Sequence, residues 1–118
     1  MNLKKEYTNI DKREFQIDAE VKNATTGEKI ENLVVRISLS HNKDRKAFYA
    51  YTNVVKLEGM FYSVMPYEGI VTRIDDCTRF SEKRFFAAIE NLKKIIPSLA
   101  EQQIEKSNRQ ENRNIALA

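Results

Sequence analysis

The chain has 118 residues, enough for one hydrophobic core and too few for two. Its 42% hydrophobic and 31% charged residues read as a soluble globular chain rather than a disordered one, and a single cysteine, Cys77, excludes an internal disulfide. No apolar run approaches the roughly 18 residues of a membrane span, and the stretch MNLKKEYTNIDKREF has no apolar signal core, so a cytoplasmic location is expected. Twenty basic residues against 17 acidic ones give a net charge of +3, which a solvated surface accounts for without any nucleic acid.

Residues Met1–Arg13 are charged and aperiodic and read as a flexible charged arm. From Glu14 the pattern changes. Phe15, Ile17, Ala19 and Val21 alternate with polar residues, which predicts a half-buried strand, and Asn23–Glu28 carries turn chemistry. Leu33, Val35, Ile37 and Leu39 alternate with Val34, Arg36, Ser38 and Ser40 and predict a second strand. A polar connection follows from His41 to Lys46.

The stretch Ala47–Thr78 reads as three strands with two tight turns, one at Glu58-Gly59 and one at Pro66–Gly69. Two-residue loops would set Leu57 opposite Met60, Val55 opposite Tyr62 and Asn53 opposite Val64. They would also set Met65 opposite Ile70, Val64 opposite Val71 and Tyr62 opposite Arg73. Alternation then sorts the side chains onto two faces. One holds Phe48, Ala50, Thr52, Val54, Phe61, Ser63, Met65, Ile70, Thr72 and Ile74. The other holds Tyr49, Tyr51, Asn53, Val55, Leu57, Met60, Tyr62, Val64, Val71 and Arg73.

A helix is expected from Ser81, a good N-cap followed by Glu82 at the positive helix end. Phe85, Ile89, Leu92 and Ile96 recur at helical spacing, and Pro97 is expected to end or kink the helix. Ser98–Glu101 resembles a capping box, so a second helix to about Ser107 is expected. Residues 108–118 form a polar tail, frayed or docked through Ile115–Ala118. The expected fold is α+β: an antiparallel meander sheet of about five strands, with one or two C-terminal helices on one face. Residues 14–107 form its single domain.

Chemistry-bearing patterns are scarce. One Cys and one His cannot supply the three or four ligands of a zinc site, so no metal or cofactor is expected. His41, the only histidine, lies in a polar connection, and no Gly-x-Ser-x-Gly elbow or phosphate-binding glycine loop occurs. Cys77 reads as a small core residue. These absences point away from an enzyme.

The face bearing Tyr49, Tyr51, Tyr62 and Arg73 is the functional candidate. Arg36 comes from the neighbouring strand, Val55 lies beside the tyrosines, and Lys43, Arg45 and Lys46 lie on the adjoining loop. Tyr and Arg bring contact area and a polar tip at low entropic cost. The expected function is therefore a non-enzymatic interaction module of adaptor or inhibitor type. It would bind a protein partner or itself, most simply as a homodimer. The alternative is single-stranded nucleic-acid binding by base stacking on the same residues. A small-molecule pocket beside Arg73 or Arg36 is a weaker third reading.

Overall fold

The computed structural model describes residues 3–111 and 114–117. Seven strands and one helix follow in the order β1 (Leu3–Asn9), β2 (Glu14–Asn23), β3 (Lys29–Asn42), β4 (Ala47–Glu58), β5 (Phe61–Val64), β6 (Ile70–Asp76), α1 (Glu82–Glu111) and β7 (Ile115–Leu117). All strands belong to one antiparallel, curled sheet with the path β1-β2-β3-β4-β5. The α+β meander with helix on one face is thus the architecture of the chain.

The period-two stretches form the central strands. Phe15 lies opposite Leu39, Ile17 opposite Ile37 and Ala19 opposite Val35. Across the next ladder Leu39 meets Ala50, Ile37 meets Thr52 and Val35 meets Val54. These rows make one buried face, and α1 covers it. Ser81 starts the helix: its Oγ accepts the Arg84 N–H at 3.2 Å and its carbonyl accepts the Phe85 N–H at 2.9 Å. Phe85, Ala88, Ile89, Leu92, Ile96, Leu99, Ala100 and Ile104 form the buried stripe. Each large side chain there contributes roughly 1.5–3 kcal/mol by leaving water.

Pro97 does not end the helix. It lies exposed inside the 30-residue α1, between the buried Ile96 and Leu99. Sheet contacts on both sides of the proline hold the helical path, so packing overrides the missing N–H. Of the expected one or two helices the chain forms one, and the stretch from Ser98 to Ser107 is its continuation rather than a second helix. It carries Gln103 and Ser107 as buried polar residues, with Gln103 Nε2 donating to the Glu68 carbonyl at 3.0 Å.

The stretch expected as a charged arm supplies β1. It pairs with β2 through Tyr7 opposite Gln16 and Thr8 opposite Phe15. Glu6, Tyr7 and Thr8 are exposed and Asn9 is half-buried, so no row of core residues imposes alternation on this stretch of the strand. Met1 and Asn2 lie outside the described residues. Of the expected tail, Asn108–Glu111 is helical and Ile115–Leu117 docks as β7 on β2, with Ile115 opposite Asn23. The Asn108 carboxamide secures it: Nδ2 donates to the Ile115 carbonyl at 2.8 Å, and Oδ1 accepts the Ile115 N–H at 3.2 Å. Residues 112, 113 and 118 lie outside the described residues.

The second expected hairpin is absent. β5 pairs with the distal half of β4, and β6 pairs with the proximal half of the same strand. The two are segments of one edge row, interrupted at Met65–Gly69. Met65 still donates its N–H to the Val54 carbonyl at 2.9 Å before the chain leaves the sheet. The excursion drops Tyr67 into the core and rests on the helix. There Gln110 Oε1 accepts the Glu68 N–H, and Lys106 Nζ lies 3.3 Å from both the Gly69 carbonyl and the Glu68 carboxylate. Gly69 passes so close to β4 that a Cβ there would stand 2.8 Å from the Thr52 carbonyl oxygen. The proline and glycine serve this excursion rather than a reversal.

The first hairpin exists with a shifted loop. Glu58 lies opposite Phe61, Leu57 opposite Tyr62 and Val55 opposite Val64, so Gly59 and Met60 form the loop. Gly59 has φ +63°, which a side chain would strain. The slide is two residues, an even number, so the expected division of faces survives. Phe61 shares the helix-side parity but lies beyond the reach of α1 and is 79% exposed.

Candidate functional site

The uncovered face is built by the residues that alternate with the core. Its rows run Glu14–Ser40–Tyr49–Arg73, Gln16–Ser38–Tyr51–Val71, Asp18–Arg36–Asn53 and Glu20–Val34–Val55–Val64. Tyr49, Tyr51 and Arg73 are therefore neighbours on one face.

At one end lies a cleft of about 420 Å³ lined by Asn42, Arg45, Tyr49, Tyr51 and Val71. Tyr49 is 8% exposed and forms its floor. Arg73 Nη1 donates to the Tyr49 hydroxyl at 3.0 Å, and Arg73 also grips Asp76 Oδ1 through Nε at 2.8 Å and Nη2 at 2.6 Å. The Arg45 guanidinium carbon stands 5.9 Å from the centre of the Tyr49 ring, and that of Arg73 stands 5.8 Å from it. Hydrogen bonding to Arg45 first, and then to Arg73, holds the Tyr49 hydroxyl below the usual tyrosine range.

At the other end Arg36 binds Asp18, and Tyr62 folds over it with its ring centre 4.7 Å from the guanidinium carbon. The hydrogen bonds to Asp18 hold the guanidinium above its ordinary value. A shallow cleft between this pair and the hairpin loop is lined by Gln16, Leu57, Gly59 and Met60.

The expected site residues thus divide. Tyr49, Tyr51 and Arg45 meet in one cleft, with Arg73 bonded to the Tyr49 hydroxyl beside it, and Tyr62 and Arg36 meet in another. Tyr62 is opposite Leu57 and not, as the two-hairpin register had it, opposite Arg73. Val55 is 1% exposed, sandwiched between Val34 and Val64, and offers no contact surface. Lys43 and Lys46 are exposed in the β3–β4 turn and line neither cleft. Lys46 serves the fold, since its carbonyl accepts the Cys77 N–H at 2.8 Å. Asn42 and Val71 line the first cleft and Asp18 the second, beyond the expected site residues. Asp18 falls on an even position of a plainly alternating strand, opposite Arg36, and that pairing was the available signal.

A third feature is the edge itself. Met60 is 96% exposed, and Phe61, Tyr62, Val64 and Val71 are all exposed large hydrophobic residues of the same edge row. Every residue of β5 is exposed.

Sole His41 is committed to the fold. Its Nε2 lies 2.6 Å from the Cys77 carbonyl, and its ring packs 5.1 Å from Phe48 and 6.2 Å from Phe80. Cys77 is buried. Among the described residues no group of three or more His, Cys, Asp or Glu side chains converges on a metal position, and no helix is long and apolar enough to cross a membrane.

No protein-family model, curated protein or solved structure matches the chain.

Proposed function

We propose that the protein is a non-enzymatic interaction module that pairs with a second copy of itself along the β5 edge. One observation carries this reading: Phe61–Val64 is a sheet edge in which all four residues are exposed and none is charged. Exposed edges are templates for another strand, and soluble proteins ordinarily blunt them with Lys, Pro or a covering element. Here the edge reads Phe-Tyr-Ser-Val. Met60 precedes it, and contiguous apolar surface of this kind marks interfaces.

The second copy is the occupant that the strand itself suits. A two-fold antiparallel pairing centred between Tyr62 and Ser63 would set Phe61 opposite Val64 and Tyr62 opposite Ser63. No like charges meet in that register. The deployment of His41 and Cys77 inside the fold supports a non-catalytic role.

Base stacking on the tyrosine face has less support. Tyr49 is buried, one side of the Tyr62 ring is occupied by Arg36, and Glu14, Asp18 and Glu20 share the face. Gel-shift titration of a labelled oligonucleotide at low salt checks this second reading, which requires a salt-sensitive shift.

Light scattering after size-exclusion chromatography tests the dimer. A dimer is expected at tens to hundreds of micromolar, on the order of ordinary weak self-association. Phe61→Lys or Val64→Lys is expected to return it to monomer while leaving the circular dichroism spectrum unchanged. A wild-type protein that stays monomeric at several hundred micromolar overturns the reading.

A further inference from the structure

We propose that the cleft between Asn42, Arg45, Tyr51 and Val71 binds an oxyanion, carboxylate or phosphate, carried on an apolar group. The site lies on the open face at the β3–β4 end of the sheet, away from the β5 strand, and stands independently of self-association.

The donors exceed the acceptors. Asn42 Oδ1 is already occupied by the N–H groups of Asp44 and Arg45, each at 3.0 Å. Its carboxamide N–H groups are what it has left to offer the cleft. The Tyr51 hydroxyl makes no hydrogen bond among the described residues, and a phenol can donate.

The charges are also out of balance. Two guanidinium groups converge on one phenol, that of Tyr49. Arg73 has a carboxylate, Asp76, at 2.6 Å. Among the described residues Arg45 has none within ion-pair distance. The cleft is therefore one negative charge short. An arriving oxyanion would take a charge-assisted bond from Arg45 and neutral ones from Asn42 and Tyr51.

The walls define the rest of the ligand. Val71 is exposed and stands opposite Tyr51 across the β4–β6 ladder. An apolar group attached to the anion would cover both, so an aryl or branched-alkyl oxyanion binds more tightly than a bare ion.

Heteronuclear NMR titration of the 15N-labelled protein tests this at constant ionic strength. The probes are inorganic phosphate, phenyl phosphate and phenylacetate, with sodium chloride as the control. Saturable shifts are expected at the Asn42 side-chain amide, the Arg45 Nε–H and the Val71 amide. Phenyl phosphate should bind more tightly than inorganic phosphate. A preference for phenyl phosphate over phenylacetate assigns the natural ligand as a phosphate ester, and the opposite preference assigns a carboxylate. Arg45→Gln lies in an exposed turn, and it should weaken binding about tenfold, the size of one charge-assisted hydrogen bond. Tyr51→Phe should weaken it less. Shifts that fail to saturate and match those of sodium chloride overturn the proposal, as does unchanged affinity in Arg45→Gln.

Discussion

Arg36 holds Asp18 through two parallel hydrogen bonds, Nε to Oδ1 at 2.9 Å and Nη2 to Oδ2 at 3.0 Å, on the sheet face that the helix leaves open. The Asp18 residue is only 2% exposed, while the guanidinium still reaches solvent under the Tyr62 ring. The two ends of the pair are therefore unequal. Arg36→Met strands a buried carboxylate and should cost about 3 kcal/mol. Asp18→Asn leaves a cation that can turn to water, and should cost about 1–2 kcal/mol. The double variant Asp18→Leu/Arg36→Met should recover most of the loss, because well-packed apolar residues replace such pairs at little cost. Urea denaturation of the three variants checks the order. Equal losses in the two single variants would contradict it.

Gly69 meets β4 at closer than side-chain distance. A Cβ there would collide with Asn53 Oδ1 and lie 2.8 Å from the Thr52 carbonyl oxygen. The Asn53 side chain can move, but the Thr52 carbonyl belongs to the central ladder and cannot. Gly69→Ala should therefore cost about 1–3 kcal/mol, the range for forced overpacking. Gly59 is a contrasting case. It has open space around it but a φ of +63°, so Gly59→Ala should cost about 1 kcal/mol from backbone strain alone. Thermal melts of both variants test the difference. Gly69→Ala should also perturb the amide signals of Thr52 and Asn53, which Gly59→Ala leaves in place.

These two glycines also show what the amino-acid sequence could and could not disclose. Strands β2 and β3 were legible because the helix-covered face imposes an alternating apolar row, Phe15, Ile17 and Ala19 on one and Val35, Ile37 and Leu39 on the other, and β4 was legible from the turn that bounds it. The common face of Tyr49, Tyr51 and Arg73 was legible from the period of two along a strand. A register slide of two residues at Gly59 leaves parity untouched. The role of Gly69 was not legible. Glycine serves positive φ and close approach equally well, and only the neighbouring strand tells which. Beside Pro66 it mimicked a hairpin turn, so the edge row of β5 and β6 read as two strands side by side. β1 was hidden because an edge strand of charged residues carries no periodic signal. The clefts were partly legible. Arg45 and Arg36 came from their proximity to tyrosines, but Asn42 was missed because an amide in a turn looks like capping.

Pro97 is a residue whose local preference loses to packing. It removes the N–H that would bond the Lys93 carbonyl, at a position exposed to solvent inside α1. Water can take that carbonyl but does not restore the helical bond, while Ile96 and Leu99 hold the helix down on either side. Pro97→Ala should stabilise the protein by about 1–3 kcal/mol, less than the full penalty because the unfolded chain also gains freedom. The denaturation midpoint should rise with an unchanged denaturant slope. A lower midpoint would show that the proline sets the path of the helix over the sheet.

The Tyr49 hydroxyl offers a spectroscopic test of the cleft. Arg45 and Arg73 lower its ionisation range by hydrogen bonding and by charge. A group whose folded pKa is depressed contributes stability above its unfolded pKa and loses it as the pH falls through the folded value. Below the folded value the phenol is protonated in both states and contributes nothing by this route. The stabilisation grows only as the pH rises from the folded value towards about 10, the ordinary tyrosine value. Ultraviolet titration at the tyrosinate band should show a component that begins to ionise below the ordinary range. Tyr49→Phe should remove that component, and Arg45→Gln and Arg73→Gln should each move it upward. An oxyanion bound at Arg45 should also move it upward, by drawing the guanidinium away and adding a negative charge. The same absorbance readout then reports occupancy of the cleft, and no response to phenyl phosphate would separate the tyrosine from the site.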